Sequence, residues 1–146
     1  MAGRPPKEGI DFAGWSTDVF EDPKIDRLID GQGVAGFVVY FYLCQMAYRL
    51  HGYYLPWTCT DAPTVARRIG GGVGSKTVED TVGLCLRIGL FDNMLYVGHG
   101  ILSSRGIQSR FLPALSKRRC KTIIADYWLL DTGDLSGVVF APKNRL

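Results

Sequence analysis

The chain has 146 residues, 47% of them apolar and 21% charged, with a formal net charge of +3. That balance suits one globular domain burying about two-thirds of its unfolded surface and excludes global disorder. No apolar run reaches the ~18 residues of a membrane span, and residues 1–11 lack the apolar stretch of a signal peptide, so a cytoplasmic location and no membrane partner are expected.

Residues 1–21 read as an N-terminal arm, with Phe12, Trp15, Val19 and Phe20 available to pack on the body. Asp22 then suits a helix N-cap and Pro23 the first helical position, where its missing N–H costs nothing. Ile25, Leu28 and Ile29 repeat at helical spacing until Gly31–Gly33 ends the run. Val34–Leu50 is the longest helical candidate. Phe37, Val38, Phe41, Tyr42, Cys44, Gln45 and Tyr48 make it apolar around much of its circumference, so it is expected to be the central core helix.

Gly52 stops that helix, and Tyr53–Trp57 follows as an aromatic strand that Pro56 marks as an edge. Thr60 or Asp61 caps a short helix through Ile69, and the glycines from Gly70 to Gly74 break it. Ser75 starts another helix, ending at Gly89. Two helices joined by a glycine-bearing turn make a helix-turn-helix. Leu90–Phe91 and Met94–Val97 flank Asp92-Asn93 as a hairpin. Ser103 or Ser104 caps a last helix, bent or restarted at Pro113. The order predicts a mainly α fold with a small β-sheet, a winged helix-turn-helix over 22–119. Residues 120–146 form a C-terminal tail, expected to make a small β-element or to dock on a partner.

Catalysis finds little support. His51 and His99 lie in separate loops, and Cys44, Cys59, Cys85 and Cys120 form no C-x-x-C pair, so reduced, mostly buried thiols and no metal are expected. Gly70–Gly74 with Ser75-Lys76-Thr77 lacks phosphate-loop spacing and follows a helix rather than a strand. A noncatalytic module without cofactor is the expectation.

Charge is segregated. Residues 60–125 hold ten Lys and Arg against four Asp and Glu, whereas the flanking segments are slightly acidic. A polyanion would dock on that middle section. The candidate phosphate contacts are Arg67, Arg68, Lys76, Arg87, Arg105, Arg110, Lys117, Arg118, Arg119 and Lys121; a solvated face accounts for the same charges. Base reading by the second helix of the pair would rest on Lys76 and Thr77, which Glu79 and Asp80 oppose. Tyr53, Tyr54 and Trp57 could stack on bases but are assigned to the core. Phe91, Met94, Leu95 and Tyr96 give the expected hairpin an apolar surface without Lys or Arg, fit for self-association.

The ordered runs RPPKEGIDF, DVFEDPKIDRLIDGQGVAGFVVYFYLCQMAYRLHGYYLPW, LCLRIGLFD and GILSSRGIQSRF resemble a DnaD-like N-terminal domain of phage and mobile-element replication proteins, a family of unknown function. The match spans Arg4 to Arg119. The resemblance implies a winged-helix oligomerisation domain, a homo-oligomer whose hairpin region contributes to self-association, working beside replication proteins. It also implies that DNA binding resides in a separate C-terminal region, which Thr122–Leu146 does not resemble. DNA contact is therefore expected from the basic residues, nonspecifically. The alternatives are a protein-interaction module that leaves nucleic acid alone, and a site-specific DNA-binding repressor.

Overall fold

Asp22 acts as its place before a proline predicts: its carboxylate accepts the Lys24 N–H at 2.9 Å and caps helix α1, Pro23–Leu50. The computed structural model describes residues 8–118, 122–132, 135 and 137–143. Within α1 the expected stop survives as a break: Gly33 sits at φ 71°, ψ −171°, outside helical values, and the helix resumes at Val34. The break crowds the next turn. A Cβ on the buried Gly36 would lie 2.3 Å from Cβ of Gln32, so a side chain there would force the turn apart.

The inward stripe of α1 runs through Ile25, Leu28, Val39, Leu43, Cys44 and Ala47, each 2% exposed or less. Full burial of each large apolar side chain contributes about 1.5–3 kcal/mol. Helix α2, Ala62–Ile69, and helix α3, Ser75–Ile88, complete this core, with α3 making the most extensive packing against α1. Gly89 ends α3 in the left-handed conformation, φ 87°. Asp61 holds the N-cap position of α2 as expected, but without a side-chain cap bond to that helix. Its carboxylate instead accepts the Thr58 N–H at 2.9 Å, in a capping box across a short 3-10 turn, Cys59–Asp61.

The aromatic strand is shorter than expected. Strand β1 covers Leu55–Pro56 and pairs antiparallel with β2, Ile101–Leu102, with Leu55 opposite Leu102. Tyr53 is occupied otherwise: its carbonyl accepts from Ser103 Oγ at 2.5 Å and its hydroxyl accepts the Ile124 N–H at 3.0 Å. Tyr53 and Trp57 are buried and Tyr54 half-buried, as the core assignment expected.

The hairpin expected over Leu90–Val97 is a helix, α4, Asn93–His99. The Asp92 carboxylate accepts the Leu95 N–H at 3.0 Å, while the Asp92 N–H donates to the Ser103 carbonyl at 2.8 Å. Asp-Asn suits a hairpin turn, but Asp is equally a strong N-cap. Burial decides between them: Leu95 is 5% and Val97 74% exposed, and two residues apart they would share one face of a strand, whereas in a helix they point apart.

Helix α5, Arg105–Ser116, is capped by Ser104, whose Oγ accepts the Ile107 N–H at 3.1 Å, and it runs through Pro113 without restarting. Beyond it, β3 (Thr122–Ile124) pairs in parallel with β4 (Val139–Ala141), Thr122 opposite Val139. Ile123, Ile124 and Tyr127 join Tyr53, Leu95, Ile101, Phe111 and Leu115 in a second apolar cluster, so these tail residues pack on the body. The small β-element expected there is present.

Candidate nucleic-acid interface

Two of the nominated cations are turned inward as clamps. Arg110 lies on the first half of α5, and its guanidinium sits 3.7 Å from the centre of the Trp15 ring while Nε donates to the Tyr48 hydroxyl at 2.5 Å. Arg118 donates to the Glu8 and Gly9 carbonyls at 2.5 and 2.7 Å. Together with the Ile10 N–H, which donates to the Tyr48 carbonyl at 2.8 Å, they fasten residues 8–21 along α1. A Cβ on Gly9 would fall 1.8 Å from the Arg49 carbonyl oxygen, so the arm lies as close to the helix as a glycine allows. These arginines act first through packing and hydrogen bonding.

Lys76 is also engaged: its ammonium donates to Asp80 at 2.8 Å, an exposed i,i+4 pair at the start of α3. That hydrogen bond, followed by the Asp80 charge, raises the lysine pKa above its ordinary value. Arg67 and Arg68 stand exposed at the end of α2, Lys117 just past α5, and Arg105 in the first turn of α5. Arg119 and Lys121 lie outside the described residues.

One place gathers cations from separate elements. An open cleft of about 520 Å³ is lined by Lys24 from α1, Arg87 from the end of α3, and Arg105 and Arg110 from α5. Two carboxylates also line it, Asp22 and Asp92, and each is held as a helix cap. The Lys24 ammonium reaches the Gly89 carbonyl at 3.4 Å across the cleft mouth. The first turn of α5, with Ser104, Arg105 and Gly106, also faces it, adding the positive end of a helix dipole. Lys24 went unnoticed in the sequence because its segment is acidic on average, and nothing local indicates that α1 begins beside the end of α3. Cations so placed can neutralise an anionic group, and the buried Tyr40 phenol that also lines the cleft is kept neutral by burial. Cys44, wholly buried, is pushed from 9.0 up to about 12 by burial, which keeps it an unreactive thiol. Cys85 is buried as well, whereas Cys59 is exposed; all three are free thiols. Cys120 lies outside the described residues. Among the described residues no three His, Cys, Asp or Glu are gathered as a metal site.

The four residues nominated for self-association do not share a surface. Phe91 is 1% and Leu95 5% exposed, both in the core, and Tyr96 is half-buried. Met94 points out, 78% exposed, near Val97 at 74%. The expectation of an apolar wing gives way to a helix that offers two apolar side chains to solvent. Among the described residues no helix is long and apolar enough to cross a membrane.

Residues 14–107 match the model of the Lin1244/Lin1753-like N-terminal family. The chain is 32% identical over 145 residues to the uncharacterized phage-related protein Lin1244/Lin1753 of Listeria innocua, an alignment covering 97% of this chain and 47% of that protein. No solved structure matches. The matched region runs from Gly14, next to the clamped Trp15, to Ile107 in the first turn of α5, taking in the core helices and most of the basic cleft, and the chain therefore belongs to the Lin1244/Lin1753-like N-terminal family.

Proposed function

We propose that this chain is a noncatalytic, cytoplasmic accessory or assembly module of phage DNA replication that self-associates and binds nucleic-acid phosphates without sequence preference. In this reading the fold is a DnaD-like winged-helix variant: α1, β1, α2, α3 and β2 keep the winged-helix order, and α4 stands where the wing hairpin would be. The observation that carries it is the meeting of Lys24, Arg87 and Arg105 at one cleft beside the first turn of α5. Cations held there by three separate elements can neutralise adjacent phosphates, and such contacts carry affinity without reading bases. The alternative of a protein-interaction module draws support from Arg110, Arg118 and Lys76, whose partners lie within the chain. A repressor reading bases through Lys76 has the Asp80 pair against it.

The test is fluorescence anisotropy with labelled duplex and single strands. With three phosphate contacts, affinity falls roughly 40-fold between about 50 and 200 mM salt. Arg87→Ala and Arg105→Ala each lower the logarithmic salt slope by about 1. Undetectable binding at low salt rejects the nucleic-acid role and leaves the interaction module standing.

A further inference from the structure

A groove of about 500 Å³ lies between the end of α1 and α2, and it shares no lining residue with the cation cleft. Its floor is apolar: Leu55, Trp57 and Val65 are all buried. Met46, half-buried, and Leu50, 45% exposed, form one wall, four residues apart on a single stripe of α1. On α2, Val65 and Arg68 follow three residues apart along the facing stripe. A second hollow of about 390 Å³ adjoins the groove, and the two share Tyr42, Met46, Arg49 and Arg68. The arginines therefore stand where the apolar groove opens onto its neighbour.

Arg49 lies in the last turn of α1 and Arg68 in that of α2, and both are exposed. A cation at either place offsets the helix dipole. The dipole does not require arginines from two helices to meet on one groove. Among the described residues neither guanidinium has an ion pair, a hydrogen bond or a ring partner, unlike Arg110 and Arg118. The other charged groups of the groove are already engaged. The Asp61 carboxylate accepts the Thr58 N–H at 2.9 Å, and His51 Nδ1 lies 2.7 Å from the Glu8 carboxylate. Unmatched positive charge is left beside an apolar floor.

We infer that this groove seats an acidic peptide segment of a partner protein. A bulky apolar side chain of the segment packs among Met46, Leu50 and Val65, and its carboxylate meets Arg49 and Arg68. Charge complementarity selects this occupant: each planar guanidinium takes a carboxylate through two parallel hydrogen bonds. The apolar floor fits a side chain that a phosphodiester backbone does not carry, and a stacked base needs an open ring face, which Trp57 at 5% exposure lacks. From Tyr42 to Leu50 the wall runs about 12 Å, room for roughly two helical turns of peptide or about four extended residues. Short amphipathic segments dock on helix-walled grooves in this way. Because no residue is shared with the cation cleft, the phosphate reading stands or falls separately.

Panning a random peptide library displayed on phage against the immobilised full chain tests this. The recovered peptides are expected to set Asp or Glu beside Leu, Phe or Trp. Made as labelled synthetic peptides, they should bind about tenfold more weakly to Arg68→Glu and to Leu50→Ser. Both positions are exposed, so thermal melting should stay that of the wild type. Replacing the peptide's carboxylates with Lys should restore binding to Arg68→Glu, and Arg87→Ala in the cation cleft should leave peptide binding unchanged. Failure to recover acidic, apolar peptides overturns the proposal, as does binding that Arg68→Glu and Leu50→Ser leave untouched. Displacement of the peptide by a labelled oligonucleotide whose salt slope drops in Arg68→Glu overturns it in favour of phosphate. A twofold protomer mass that Leu50→Ser halves overturns it in favour of a second copy.

Discussion

Gln108 shows most directly how one side chain organises its surroundings. It has no exposed surface, yet its amide is fully used: Nε2 donates to Ser103 Oγ at 3.0 Å and to the Tyr127 carbonyl at 2.8 Å, while Oε1 accepts the Leu129 N–H at 2.7 Å. A buried polar group so satisfied costs little, and the same group removed strands its partners. Gln108→Leu should therefore cost about 3 kcal/mol in denaturant unfolding. Amide exchange over residues 122–129 should accelerate before that of α1. Wild-type stability in the variant would show that the amide does not hold the tail. The sequence holds a clue to this role, since Gln108, Phe111 and Leu115 fall on one helical stripe. The same clue is absent for Arg110 and Arg118. Their partners are Tyr48 and the Glu8 and Gly9 carbonyls, more than sixty residues away, and an arginine before it folds looks equally suited to phosphate or to tryptophan.

Among the elements, α4 separates local propensity from tertiary context. Asp92-Asn93 fits a hairpin turn and a helix start equally well, and an alternation of apolar residues over Leu90–Val97 is weak evidence for either. The inward placement of Leu95 beside the outward Val97, two residues on, favours the helix, and Phe91 leads into it with its ring 5.5 Å from that of Tyr40. Two substitutions distinguish the two forms by sign. Asp92→Ala removes the cap and should cost about 1 kcal/mol. Asn93→Gly would strengthen a hairpin turn but weakens a helix start by up to about 1 kcal/mol. A gain in the denaturation midpoint for Asn93→Gly would argue for the hairpin after all.

At the scale of the whole molecule, the core is built to hold its ionisable groups neutral. Burial raises Cys44 from 9.0 to about 12, and burial raises Tyr53 from 10.0 to about 12, with the Ile124 N–H partly offsetting it. Tyr40, Tyr48 and Cys85 are pushed the same way, again by burial first. Folded values above unfolded ones mean that the unfolded chain releases these protons first. Stability is then whole below about pH 9 and falls progressively toward pH 12, by up to about 1.4 kcal/mol per pH unit for each such group. Thermal midpoints measured upward from pH 8 should show that decline. Cys44→Ala should start lower, through its small cavity, and decline less steeply. An equally steep decline in Cys44→Ala would remove the thiol from the explanation.

What the sequence determined on its own is the set of features that act within a few residues: the Asp22-Pro23 start, the break at Gly33, the stop at Gly89 and the Ser104 cap. Each depends on a backbone conformation or a hydrogen bond spanning at most one helical turn, so the residues involved are neighbours in the chain. Tertiary structure alone decided the rest. It made α4 a helix, turned Arg110 and Arg118 into clamps on the arm, brought Lys24 to Arg87 and Arg105, and laid Trp15 and Phe20 of the arm on Phe41 and Phe37 of α1. Those outcomes depend on which distant surfaces meet, and no local preference encodes that.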